Sequence, residues 1–187
     1  MELLNVIFQD KRVKLKNGKE CIFKSPDVVD AENLIEYLKL TSSETDYMIR
    51  YPEEITMTIV DEEKFLKSIK ESDNNIMISA FIDDKLVGNS SINTIEDKIK
   101  VSHRATFGIA IIKEAWNFGI GTALLTEILD CAKQAGFEQV ELEVASTNYK
   151  AINLYERFGF KKYGTRDNAF KFKDGSYCAE HLMMKIL

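Results

Sequence analysis

The sequence predicts one mixed α/β domain, and three observations lead there. Apolar residues recur at helical spacing in several separate stretches, most clearly at Val28, Ala31, Leu34, Ile35 and Leu38. Other stretches alternate apolar and polar residues every second position, as half-buried strands do. The two kinds interleave along the chain instead of falling into blocks, which argues for one core shared by sheet and helices. A chain of 187 residues suits a single domain spanning 1–187.

Taken in order, residues 11–24 read as a hairpin, with Asn17-Gly18 supplying the positive φ values of a tight turn. A helix is expected from about Asp27 to Leu40, then a long loop over 41–60 with room for a short turn. A second helix should run from Asp61 to about Lys70, with Phe65, Leu66 and Ile69 inward, and end at Ser72-Asp73-Asn74-Asn75. Ile76–Ile82 and Lys85–Asn93 form a predicted hairpin around Asp83-Asp84. Ile99–Ile112 reads as one long extended stretch. A helix from about Gly119 to Ala135 follows, capped by Gly136. Gln139–Ala145 alternates as a strand, Asn148–Phe158 is a short helix stopped by Gly159, and three strands close the chain: Phe160–Lys162, roughly Phe170–Phe172, and Tyr177–Ile186.

Composition narrows the function. The net charge of −5 argues against a nucleic-acid binder, which would show a basic face, and suits a cationic small-molecule partner. No run approaches the roughly 18 apolar residues of a membrane span. Met1 to Lys14 lacks a signal-peptide core, so a cytoplasmic protein with no membrane partner is expected. Cys21, Cys131 and Cys178 are odd in number and far apart, and His103 and His181 have no nearby ligand partners, so no metal site is expected.

One segment carries chemistry. A buried strand ends in Phe107–Ile112, a short connection follows, and Gly119-Ile120-Gly121 opens a helix. Glycines there let the backbone adopt positive φ and approach a ligand closely. The first-turn N–H groups of a helix lack partners and carry the positive end of its dipole, which makes an anion site suited to a diphosphate. A lone Gly-x-Gly is equally consistent with a plain strand-to-helix turn. A phosphate loop of the Gly-x-x-x-x-Gly-Lys kind is absent. A dinucleotide fingerprint fits poorly, because Leu124 takes its third position and Lys113 to Phe118 separate the strand from Gly119.

Asn148, Ala151, Tyr155, Gly159 and Phe160 then complete the pattern Asn-x-x-Ala-x-x-x-Tyr-x-x-x-Gly-Phe. With the glycine loop, this stretch resembles the GNAT superfamily of acetyl-CoA-dependent N-acetyltransferases, whose first motif reads Arg/Gln-x-x-Gly-x-Gly/Ala. The specific cofactor-binding core covers about residues 107–162. The resemblance implies a mostly antiparallel twisted sheet with a central splayed parallel strand pair and helices on both faces. It implies acetyl-CoA as co-substrate, a primary amine of a small or amino-acid-like molecule as acceptor, and direct attack in a ternary complex. Dimers are common in the family, so a homodimer is an expected assembly. Trp116 departs from the pattern, standing where Arg or Gln is usual, which removes one polar contact to the pyrophosphate.

The same resemblance distributes roles. The backbone of Ile109 and Ile111 would pair with the pantetheine arm and stabilise the thioester oxyanion. N–H groups across Asn117, Phe118, Gly119, Ile120, Gly121, Thr122 and Ala123 would hold the pyrophosphate. Asn148 and Ala151 would meet the pantetheine arm, Asn148 doubling as a helix N-cap. Lys150, Arg157, Lys161 and Lys162 lie near the expected adenosine end. Tyr155 would act as general acid for the departing thiolate and His103 as a candidate base, with Glu141, Glu143 and Glu180 as rivals for that proton. The loop 41–57 and the final hairpin should frame the acceptor, with Glu44, Asp46, Glu53 and Glu54 able to hold a cationic group. Competing readings are a protein N-terminal or ribosomal-protein acetyltransferase, a non-catalytic acyl-CoA-binding module, and a Rossmann-like oxidoreductase.

Overall fold

A computed structural model describes residue 6, residues 8–72 and residues 75–187. Parts of the Met1–Lys14 and Ser72–Asn75 readings therefore lie outside the described residues. The elements are β1 (Lys11–Lys14), β2 (Glu20–Lys24), α1 (Ala31–Glu44), α2 (Ile59–Lys70), β3 (Asn75–Ile82), β4 (Lys85–Thr94), β5 (Arg104–Ile111), α3 (Ile120–Ala135), β6 (Gln139–Ala145), α4 (Tyr149–Arg157), β7 (Lys161–Lys171) and β8 (Tyr177–Ile186). The strands form one eight-stranded sheet in the order β1-β2-β3-β4-β5-β6-β8-β7. Every neighbouring pair is antiparallel except β5 and β6.

That parallel pair is short. Its register covers only Arg104–Thr106 against Gln139–Glu141, after which the strands part. Beyond it β5 stays paired with β4 as far as Ile111, while β6 runs on beside β8 as far as Ala145. The result is the splayed pair that the family pattern implies.

The central helix α3 packs on one face of the sheet through a stripe of fully buried residues, including Ile120, Leu124, Ile128 and Ala132. A methyl group added to Gly88 of β4 would stand 3.3 Å from Ile111 and 3.4 Å from Leu124, so strand and helix touch there through a residue without a side chain. Phe107, Tyr155 and Phe160 join α4 to β5 on the same face. The helices α1 and α2 lie on the opposite face, over β4 and β3. Among the described residues, no helix is long and apolar enough to cross a membrane.

Several expected boundaries move, each for a local reason. A short 3-10 turn over Val28–Asp30, capped by Asp27, precedes α1. Thr58 rather than Asp61 caps α2, because Thr58 and Asp61 bond each other's backbone N–H in a capping box. The stretch from Ile99 is not one strand: a 3-10 turn and a bend carry the chain to Arg104. In the other direction, β7 is a single edge strand where two short ones were expected. Breaks in register at Lys162/Gly164 and Arg166/Phe170 interrupt its alternation, and its exposed face imposes no apolar pattern.

Candidate active site

The far edge of β5 is where the chemistry gathers. The Ile112 N–H donates to Val87 O at 3.0 Å, so residue 112 addresses β4. Alternation along an extended strand then sends the N–H and C=O of Ile109 and Ile111 towards the gap left by β6. Both isoleucines keep their side chains against the core while their backbones face the splay.

The turn between β5 and α3 holds a row of unused donors. Among the described residues, no protein acceptor is found for the N–H groups of Asn117, Phe118, Gly119, Ile120, Gly121 and Thr122. Asn117 (φ 67°) and Gly119 (φ 93°) both adopt left-handed backbone, which curls these groups into a concave anion nest. Gly121 is packed tightly, since a Cβ there would meet Ile111 at 3.2 Å and Leu154 at 3.4 Å. Ala123 was expected among the donors, but its N–H bonds Gly119 O at 3.1 Å as the first helical hydrogen bond, so it is not free for a ligand.

Trp116 has a defined job. Its indole N–H donates to Ile111 O at 2.7 Å, clipping the turn back onto the end of β5. The Lys150 ammonium lies 4.8 Å from the indole centroid, which brings a cation of α4 beside the nest. A second cation comes from a region with no motif. Lys16, in the turn between β1 and β2, donates its N–H to Phe118 O at 3.1 Å. Its aliphatic chain runs 3.6 Å from where a Cβ on Gly119 would stand. Sequence reasoning missed Lys16 because only the tertiary fold carries this hairpin to the loop a hundred residues later.

Tyr155 sits where β5 and β6 part. Its ring stands edge-on to Phe107 at 6.0 Å and beside Phe160 at 5.9 Å. Burial pushes its pKa well above the ordinary phenol value, so the hydroxyl stays protonated. No fully enclosed side-chain oxygen among the described residues lacks a hydrogen bond, and no protein partner is found for this hydroxyl, so its oxygen keeps some accessible surface although the residue is buried. Asn148 caps α4, its side-chain oxygen accepting from the Ala151 N–H at 3.3 Å, which leaves the amide NH₂ for another partner.

His103 is not brought to this place. It occupies the bend before β5, where its carbonyl accepts from the N–H groups of Glu138 and Gln139 at 2.9 Å and 3.2 Å. Ile109 is six positions further on, roughly 20 Å along the strand. It marks the closed end of the parallel pair, not the splay.

The three glutamates fare differently. Glu141 is locked to Arg104 by two hydrogen bonds of 2.6 Å and 2.9 Å, and the Arg104 bond holds its carboxyl below the usual range. Glu143 pairs with Arg166 at 3.1 Å. Glu180, opposite Ala145 at the splayed end of β6, is buried, and its pKa is raised by burial and by Glu143, against the pull of a close Arg166. The loop before α2 does reach the final hairpin, where the Tyr51 hydroxyl accepts from the Lys173 N–H at 3.2 Å, and it also reaches the connection between β6 and α4, where the Tyr47 hydroxyl donates to Thr147 O at 3.4 Å. Most acids expected to greet a cationic acceptor there are already engaged. Glu44 accepts from the Lys113 N–H, Glu53 pairs with Lys173, and Glu54 accepts from the Tyr51 N–H.

Residues 38–160 match the acetyltransferase (GNAT) family. The chain belongs to that family. The splay, the nest and Tyr155 all fall within the matched residues. The L-amino acid N-acetyltransferase AaaT of Escherichia coli is 30% identical over 108 residues, 57% of this chain and 65% of that protein. An N-alpha-acetyltransferase of Sulfurisphaera tokodaii is 28% identical over 149 residues, 79% of this chain and 84% of its own length. Among solved structures, a GNAT acetyltransferase from Streptococcus pneumoniae superposes with a TM-score of 0.85 at 29% identity, covering 89% of this chain and 99% of that one.

Proposed function

We propose that this GNAT chain transfers the acetyl group of acetyl-CoA to a primary amine of a small, amino-acid-like molecule. The observation that supports this most directly is the row of unpaired N–H groups from Asn117 to Thr122, set beside a strand edge whose Ile109 backbone and Ile111 N–H face the splay while the Ile111 carbonyl accepts from Trp116. A diphosphate fits the nest, and an extended amide-bearing arm fits the strand edge as a further strand would. Lys16 and Lys150 add positive charge where phosphates would lie.

In the reaction, the amine nitrogen attacks the thioester carbonyl, the carbon–sulfur bond breaks, and the thiol of CoA leaves. An N–H of the Ile109–Ile111 edge stabilises the developing oxyanion. Tyr155 donates its proton to the departing sulfur. Glu180 takes the proton that an ammonium must lose before attack, directly or through water. Both acids pair with an arginine, but burial and Glu143 raise the Glu180 pKa against Arg166, whereas Arg104 holds Glu141 below the usual range, so Glu180 is the better base of the two. His103 has no part in this scheme.

The test is thiol release from acetyl-CoA with polyamines, amino acids, aminoglycosides and short peptides as acceptors. Turnover confined to free amino acids or amines supports the reading. Turnover only with peptide N-termini would replace the acceptor class with that of the N-alpha-acetyltransferase relative. Acetyl-CoA binding without thiol release for any amine would reduce the chain to a binding module.

A further inference from the structure

On the face of the sheet away from α3, a cavity of about 370 Å³ opens between α1, α2 and strands β3 and β4. Its walls are mostly apolar, from Leu34 and Leu38 of α1, Met57 of the preceding loop, Phe65 of α2 and Met77 of β3. Into it faces Glu62, whose relative exposure is 5%. Among the described residues, no hydrogen bond or ion pair within 4.0 Å engages this carboxylate. No fully enclosed side-chain oxygen lacks a partner, so its oxygens border the cavity itself. The neighbouring Asp61 also lines the cavity, but its carboxylate is engaged by the Thr58 N–H and hydroxyl.

An acid buried to this degree without a contact partner is costly, and proteins keep such groups paired. Burial raises the pKa of Glu62, and among the described residues the charge found to oppose this is that of Arg50, an exposed loop residue that lines the same cavity but lies beyond ion-pair distance. The partner that completes the site is therefore a cation small enough to enter, with an apolar body for the walls. The volume lies in the range of small-ligand pockets. Asn89 lines the cavity from β4, and its cross-strand partner is Ala110, between the two isoleucines of the proposed thioester edge.

We infer that this cavity is a binding site for an organic ammonium group on an apolar chain, held by Glu62. The ammonium belongs either to the far end of a diamine-like acceptor or to a separate amine bound beside the reaction centre.

Calorimetric titration of the full chain without acetyl-CoA tests this, using 1,5-diaminopentane with 1-pentanol as the uncharged probe. The diamine should bind and the alcohol should not. Glu62→Gln should weaken the diamine about ten-fold or more, the worth of a charge-assisted hydrogen bond, while Glu63→Gln on the exposed side of α2 should not. Without ligand, Glu62→Gln should melt no lower than the natural protein, since it removes an unpaired buried charge. No diamine binding to the natural protein, or equal binding to Glu62→Gln, overturns the site. A lower melting temperature in Glu62→Gln without loss of diamine affinity assigns Glu62 a structural role instead. The titration needs no acetyl transfer, so its result is independent of the reaction proposed above. Where a monoamine is acetylated, pentyltrimethylammonium separates the two sources: Glu62-dependent competition with the monoamine places the cavity on the acceptor's path, and Glu62-dependent non-competitive inhibition makes it a separate site.

Discussion

On the proposed donor side of this site the groups on offer are main-chain N–H groups, whereas on the proposed acceptor side they are carboxylates and guanidinium groups that pair with one another. The nest from Asn117 to Thr122 and the open edge at Ile109 and Ile111 need particular backbone angles and little else. On the other side, Arg104–Glu141 ties the closed end of the parallel pair, and Arg166–Glu143 and Arg166–Glu180 lie among β6, β7 and β8, so these pairs draw on side chains from four different strands. The difference teaches where substitutions should be tolerated. A tryptophan can replace a polar residue at 116 because the nest is made of backbone, and the indole secures the turn instead of touching phosphate.

The largest expected effect is at the junction of the two sides. Tyr155→Phe should lower kcat about 100-fold or more with the KM for acetyl-CoA little changed, as steady-state kinetics would reveal. An unaltered kcat removes Tyr155 from proton transfer. On the acceptor side, Glu180→Gln should cost about 100-fold in kcat/KM and abolish the acid limb of the pH–rate profile. Because the Glu180 pKa is raised, that limb should lie above the ordinary carboxylate range, with activity rising as pH climbs through it. A limb that survives the substitution assigns the proton to another group.

Smaller effects should appear on the donor side. Gly119→Val forces a branched side chain to φ 93°, a strain of roughly 1–2 kcal/mol, and should raise the Kd for acetyl-CoA about ten-fold by calorimetry without altering the acceptor KM. Lys16→Glu should raise the KM for acetyl-CoA by about ten-fold at low salt, and less as salt screens the exposed charge. Equal KM at every ionic strength would leave the β1–β2 turn a purely structural neighbour of the loop. His103→Ala should be the mildest, leaving the pH–rate profile as it is. A shifted profile would mean that the closed end of the parallel pair communicates with the splay.

The two sides also differ in how far they were legible in the chain. Gly119, Gly121, Asn148 and Tyr155 stand in a local pattern whose spacing follows from one turn and one short helix, so the sequence locates them. Ala123 was miscounted by a single residue, because the first helical hydrogen bond begins at Gly119 O. His103 was misplaced for a related reason: an apolar and polar alternation continues through residues 99–103, yet the backbone there turns instead of extending. On the acceptor side no local pattern distinguishes Glu180 from Glu143. Both alternate on strands beside arginine, and only the sheet order shows which one is enclosed at the splayed end.

The sequence by itself determined the mixed α/β core, the glycine turn that opens α3, and the family to which the pattern from Asn148 to Phe160 belongs. Those features rest on interactions within a few residues, where spacing and backbone preference dictate the outcome. Only the tertiary structure decided that Lys16 lies over Gly119, that Trp116 closes onto Ile111, that three of the expected acceptor acids are already engaged, and that Glu62 faces a cavity without a hydrogen-bond or ion-pair partner among the described residues. Each of these joins residues distant in the chain. Such contacts follow from how the sheet and its two helical layers pack, which no local periodicity encodes.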